Sequence, residues 1–226
     1  MNLYRAFATV GSLTMASRLL GFARDILMAA ALGTGPVADA FFVAFRFPNL
    51  FRRLFGEGAF NAAFVPLFAK RLEGDGEAAA ARFAADAMAG LALVLIVLSA
   101  AFMVAMPWAM VVLAPGFVAD PEKYDLAVEL TQIAFPYLFC MSIVALLSGV
   151  LNSLHRYWAA AAAPILLNIV LITALLIAIA LGEASRPGAG YILAVAVTIA
   201  GFAQLAMLWL AVRHEGFSIP LSRPRW

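Results

Sequence analysis

The chain has 226 residues, of which 65% are hydrophobic and only 12% charged, with a mean hydropathy of +0.97 and a net charge of +2. A soluble domain is about 45–50% apolar and about 25% charged, so this composition belongs to a polytopic membrane protein. The small net charge and the lack of any long Lys/Arg run exclude a nucleic-acid partner, and a single cysteine, Cys140, excludes an internal disulfide.

The first segment spans about residues 2–32 and ends at Gly33-Thr34-Gly35-Pro36, a strong turn signal. Its start, Arg5 followed by an apolar run, resembles a signal peptide, but Arg18 and Arg24 follow and the apolar pattern resumes, as in an uncleaved membrane helix. The second segment covers about 37–69, roughly 45–50 Å if helical, which is longer than a bilayer core requires. Pro48, Gly56 and Gly58 are expected to bend or break it. A polar linker, Lys70 to Glu77, precedes four cleaner spans at about 82–113, 125–153, 158–181 and 188–212. No charge occurs from Ala87 to Ala119, Leu130 to Leu154, Tyr157 to Gly182 or Pro187 to Val212. Each run exceeds the about 20 residues of a spanning helix. The expectation is an all-α membrane protein of six transmembrane helices, one unit over residues 1–213, with 214–226 as a tail outside the membrane.

Basic residues outside the spans set the orientation. With the N-terminus in the cytoplasm, Arg5, Lys70, Arg71, Arg82, Arg156, Arg213, Arg223 and Arg225 are cytoplasmic, while only Lys123 and Arg186 lie opposite. Both termini are therefore expected inside. His155 and His214 sit at segment ends and Cys140 in an apolar run, so neither a metal site nor a cofactor is expected.

The unusual feature is charge within the first two segments. Arg18, Arg24, Asp25, Asp39, Arg46, Arg52, Arg53 and Glu57 are embedded there, and each charge in hydrocarbon costs about 2.5–3.5 kcal/mol on insertion scales. Five arginines against three acids call for a water-filled, protein-lined cavity and an anionic ligand. Arginine suits phosphate because its planar fork binds bidentately and stays charged when desolvated. Arg18 and Asp25 share a helix face, Arg24 points about 120° away, and a bend at Gly21 would bring it back. Arg18 and Arg24 are roughly 9 Å apart along the axis, a span suited to a pyrophosphate and its first sugar. Asp25 is placed to hold Arg24 between substrates. In the second segment Asp39, Arg46 and Arg53 form a heptad stripe, with Glu57 four residues beyond Arg53 and Arg52 turned about 100° aside. Structural readings stand beside the functional ones. Asp39 complements a helix N-terminus, Glu57 pairs with Arg53, and Arg46 snorkels to an interface. The later helices read as scaffold. Gly201 and Ala159 to Ala163 allow close approach, and Gln132, Asn152, Asn168 and Gln204 read as interhelical hydrogen-bond partners.

The stretches SRLLGFARD and ADAFFVAFRFPNLFRRLFGEGAFNAAFVPLF, with APGF and the FPY and LN elements near Phe135 and Leu151, resemble the MviN/MurJ lipid II flippases. These belong to the multidrug/oligosaccharidyl-lipid/polysaccharide exporter superfamily. The resemblance runs along the whole chain. It implies a bacterial inner-membrane transporter, not an enzyme, that moves lipid II, a lipid-linked peptidoglycan precursor, to the periplasmic leaflet by alternating access. It further implies two six-helix lobes plus a C-terminal helix pair around a cationic cavity, and this chain would be one lobe. On matching positions it makes Arg18, Arg24, Asp25, Asp39 and Arg52 the substrate-binding set, with Arg53, Glu57 and Arg46 accessory. Periodicity alone favours Arg53 over Arg52; the resemblance favours Arg52. The second lobe, with a further cavity arginine and a cation site, is expected beyond Trp226 or on a separate chain. Other exporters of the superfamily would show fewer cavity arginines and more aromatic or acidic groups. An intramembrane polyprenyl-pyrophosphate enzyme would need a positioned nucleophile, base or metal ligands, and no embedded His or close Asp pair is present. A membrane scaffold would leave the cationic patch without a purpose.

Overall fold

The computed structural model describes residues 3–52 and 59–220. The elements among them are all helical, with no strand among the described residues: α1 (Leu3–Leu32), α2 (Pro36–Arg52), α3 (Ala59–Gly74), α4 (Glu77–Leu113), a 3-10 turn at Pro115–Phe117, α5 (Pro121–Ala134), α6 (Pro136–Ser153), α7 (Trp158–Ala180) and α8 (Pro187–His214). α5 and α6 follow each other directly through Phe135, because Pro136 removes one backbone donor without redirecting the chain, and together they make one apolar rod. Among the described residues, four helical rods are long and apolar enough to cross a membrane: Glu77–Leu113, Pro121–Ser153, Trp158–Ala180 and Pro187–His214. α1 is long but diluted by its charges, and α2 and α3 have 17 and 16 residues. Pro48 does not end α2, and Pro66 lies inside α3. Gly56 and Gly58 lie outside the described residues.

α1 packs on α7, α7 on α8, and α8 on α6; α2 leans on α5 and α8, and α3 on α4 and α6. The two charge-bearing helices α1 and α2 thus rest on different walls. The α1–α2 turn depends on Gly33, whose φ of 66° is left-handed backbone that a side chain would strain. The turn before α8 clasps it, with the Ser185 amide donating to the Ala31 carbonyl at 2.8 Å. At the other end, Arg156 pairs with Glu215 at 2.7 Å. Phe217 is buried with its ring edge-on to Phe68 at 5.7 Å. The residues after α8 therefore fold back on α3 and the α6–α7 turn, so the start of the expected tail is packed, because Phe217 and Ile219 carry apolar surface.

Proline and polar residues in the scaffold are matched to each other. Pro107 inside α4 cannot supply the N–H that the Met103 carbonyl would otherwise accept. The Gln132 side chain of α5 donates to that carbonyl instead, at 2.7 Å. The Tyr124 hydroxyl donates to the carbonyl of Pro107 itself. In α8, a Cβ on Gly201 would meet Tyr137 at 2.9 Å and the Cys140 Cβ at 3.1 Å, so the absence of a side chain sets the α6–α8 distance. Two expected interhelical amides behave otherwise. Gln204 is buried but donates to Ala200 of its own helix at 3.1 Å, and Asn152 is exposed near the end of α6. A buried amide on a tight helix interface turns back on its own preceding turn when no foreign carbonyl is left unpaired in reach.

Candidate functional site

α1 runs unbroken through Gly21, and what Gly21 provides is room rather than a break: a Cβ there would lie 3.6 Å from the side-chain nitrogen of Asn168. Asn168 sits on α7, flanked by Leu167 and Ile169, and is 4% exposed. Its amide nitrogen donates to the Ser17 carbonyl at 3.0 Å, and its amide oxygen accepts from Arg24 Nη1 at 2.9 Å. One buried amide therefore pins both the backbone of α1 and the guanidinium of its central arginine. An unpaired amide at this depth would cost about 1–3 kcal/mol, so α1 and α7 are held in register by polar as well as apolar contacts.

Arg24 uses its other edge on Asp25, with Nε at 3.1 Å and Nη2 at 2.8 Å from the same carboxylate oxygen. The Arg24 side chain is 22% exposed and Asp25 64%. The two partners hold the guanidinium differently. Asn168 is buried and neutral, whereas Asp25 is mostly exposed, and such an ion pair contributes about 0–1 kcal/mol net. An anion arriving from solvent can replace Asp25 on the Nε/Nη2 edge while Asn168 keeps Nη1. Arg18, six residues earlier, is exposed and has no partner among the described residues, in a face carrying exposed Met15, Leu19, Phe22 and Ile26. The arrangement is a fixed arginine with an exchangeable counter-ion and a second, unengaged arginine on the same helix. It is equipped to bind an anion. Among the described residues no three His, Cys, Asp or Glu side chains gather as a metal site.

The remaining expected site residues are placed apart from this group. Asp39, in the first turn of α2, pairs with Lys123 of α5 at 2.5 Å, and the Lys123 ammonium sits 4.2 Å from the Phe117 ring centre. Arg46 is exposed on α2 without a partner among the described residues. Arg52 is the last residue of α2. Arg53 and Glu57 lie outside the described residues. Asn168 and Lys123 are the partners that sequence reasoning did not connect to the charges. The signal for Asn168 was an amide in the middle of an otherwise apolar helix; for Lys123 it was a base in the first turn of a helix, where the dipole favours acids.

Comparison with known proteins gives the background for this arrangement. The family model described as lipid II flippase MurJ matches residues 28–226. The chain belongs to the MurJ family. MurJ proteins are transporters rather than enzymes, so this is a multi-pass membrane protein of a transporter family. The chain is 54% identical to a probable lipid II flippase MurJ of Rhizobium tropici, covering 100% of this chain and 42% of the relative. It is 52% identical to a probable lipid II flippase MurJ of Rhizobium meliloti (strain 1021), again over 100% of this chain and 42% of the relative. A lipid II flippase MurJ of Burkholderia cenocepacia is 44% identical over 77% of this chain and 34% of its own length. A solved structure titled lipid II flippase MurJ, inward closed conformation, superposes with a TM-score of 0.68 at 26% identity, covering 88% of this chain and 41% of that one. The chain thus spans about two-fifths of the length of these MurJ relatives.

Proposed function

We propose that this chain is the N-terminal lobe of a lipid II flippase and that Arg24 binds the pyrophosphate of the lipid-linked substrate. The observation that carries this reading is the Arg24 guanidinium, pinned by buried Asn168 on one edge and held by exposed Asp25 on the other. A pyrophosphate accepts the same bidentate bonds as a carboxylate and carries more charge, so it displaces Asp25 at little cost. Arg18 supplies a second cation along α1. In this reading Arg46 and Arg52 extend the cationic wall along α2, while Asp39, paired with Lys123, braces α2 against α5. No covalent step is required. The substrate is bound with the cavity open to the cytoplasm and released when two lobes rock about it.

In this reading α1, and α2 with α3, add to the four apolar rods to give six passes in an inner membrane, with both termini cytoplasmic. The packing supports that sidedness. The Asp39–Lys123 pair and the Ser185–Ala31 bond tie together the turns that carry Lys123 and Arg186, and the Arg156–Glu215 pair ties the turn that carries Arg156 to the end of α8 that carries Arg213. A cysteine introduced at Asp75 and labelled by an impermeant reagent in intact cells would reverse the orientation; protection until the membrane is opened is expected.

Alternating access needs a second body, supplied by polypeptide beyond these residues or by another chain. The functional test is a chimera in which residues 1–226 replace the matching stretch of the Rhizobium tropici relative, in cells depleted of their own flippase. Growth should be restored by the chimera and lost with Arg24→Ala at equal protein level. Growth restored by Arg24→Ala would move the substrate site elsewhere. Growth restored by residues 1–226 alone would refute the single-lobe reading.

A further inference from the structure

A groove of about 690 Å³ runs between α4 and α8, far from Arg24 along the packing order, with Phe139 and Ile143 of α6 as its floor. On α4 it extends from Ala85 to Ile96, about 16 Å of helix, which is about half the ~30 Å thickness of a hydrocarbon core. An apolar groove one leaflet deep faces lipid in any spanning helix bundle. This one differs in how it ends.

Arg82 continues the α4 wall, seven residues before Ala89 on the same stripe. Arg213 continues the α8 wall one turn beyond Trp209, its guanidinium 5.5 Å from the Trp209 ring centre. Both arginines are exposed. A guanidinium stacked on an indole keeps its in-plane N–H donors for an oxyanion. Arg82 spends only its Nε on a carbonyl of its own helix, that of Ala78 at 3.2 Å. Two carboxylates lie within one turn of these arginines along their own helices. Glu215 is already paired with Arg156 at 2.7 Å, and Asp86, half-buried one turn along α4 from Arg82, partly offsets the cationic end. The end of the groove therefore presents two exposed guanidiniums with N–H donors to spare beyond a slot of one acyl chain's depth.

We propose that this groove is a binding site for an anionic diacylglycerophospholipid of the leaflet on that side. One acyl chain lies along Phe139 and Trp209, and the phosphodiester sits between Arg82 and Arg213. A zwitterionic lipid brings its own ammonium to the same place and gains less. The inference does not rest on Arg24 or on lipid II, and its test reads neither.

The experiment uses the full chain in nanodiscs with Trp108, Trp158 and Trp226 changed to phenylalanine, so that Trp209 alone fluoresces. Mid-chain brominated phosphatidylglycerol and phosphatidylcholine are titrated in as quenchers, with helix content checked by circular dichroism. One net cationic contact predicts an about fivefold preference for the anionic lipid. Arg82→Gln with Arg213→Gln should reduce the two lipids to equal quenching, and Asp86→Asn should widen the preference. Equal quenching in the chain with both arginines, or a preference that survives their removal, overturns the proposal. So does the absence of quenching by either lipid, because protein rather than lipid would then fill the groove.

Discussion

Arg24 and Asp39 lie in two helices that are equally unusual in carrying charge, yet they are built into the molecule in different ways. Arg24 is mostly covered, bound to a neutral buried amide and a mostly exposed acid. Asp39 is 56% exposed and paired with a lysine that is itself backed by the Phe117 ring. The first arrangement stores a cation whose counter-ion can be exchanged. The second satisfies a charge at a helix start and joins α2 to α5. In the proposed reading, binding is separated from bracing by the exchangeability of a charge's partner and not by the chemical type of the charge.

The largest effect that would break this contrast is at Arg24. In the chimera, Arg24→Ala should lower transport by at least about 100-fold, since it removes the cation that bidentate phosphate binding needs. Arg24→Lys should rescue poorly because a point charge cannot reproduce the planar fork. Flux of a pyrophosphate-linked lipid in proteoliposomes checks both.

Next comes Asn168, where two substitutions separate pinning from packing. Asn168→Leu removes both hydrogen bonds in a site of similar volume and should cost about 1–3 kcal/mol of stability, read as a lowered unfolding temperature. Asn168→Asp keeps an acceptor for Arg24 but adds a second carboxylate, so substrate affinity should fall about tenfold while the fold is retained. Equal transport by Asn168→Asp and the unaltered chimera would show that Arg24 is not held for an anion.

Smaller effects are expected at the α2–α5 pair. Lys123→Ala and Asp39→Asn should each change stability by no more than about 1 kcal/mol, the range of exposed ion pairs, with a dependence on salt. Matching, mild transport losses in the two variants would confirm a brace. Abolition by Asp39→Asn with Lys123→Ala near normal would place Asp39 with the substrate and collapse the comparison. The smallest effect is at Gly21. Alanine there meets Asn168 at ordinary contact distance and favours the helix by roughly 0.5–1 kcal/mol, so Gly21→Ala should fold at least as well and transport normally. A transport defect in a well-folded Gly21→Ala variant would show that this glycine serves a bend in α1 rather than room for Asn168.

By itself the sequence determined the features that composition and local spacing dictate. Charge-free runs of Leu, Ile, Val and Ala specify four spanning rods, because hydrocarbon admits only helices with all backbone groups paired. Gly33-Thr34-Gly35-Pro36 marks the α1–α2 turn, because the left-handed backbone there requires glycine. Embedded arginines are the feature from which the anion-binding proposal starts. Gly201 announces close packing, and the α6–α8 approach confirms it. The tertiary structure alone decided which group each charge meets. The Arg24–Asn168 bond joins residues 144 positions apart, and the Lys123–Asp39 bond joins residues 84 apart. Helical periodicity assigns a direction around one axis and is silent about which helix lies in that direction. The same reason explains Gln132, whose partner is a carbonyl orphaned by Pro107 on another helix. It also explains the tail, where Phe217 finds its apolar cover on α3, a partner no local pattern around residue 217 specifies.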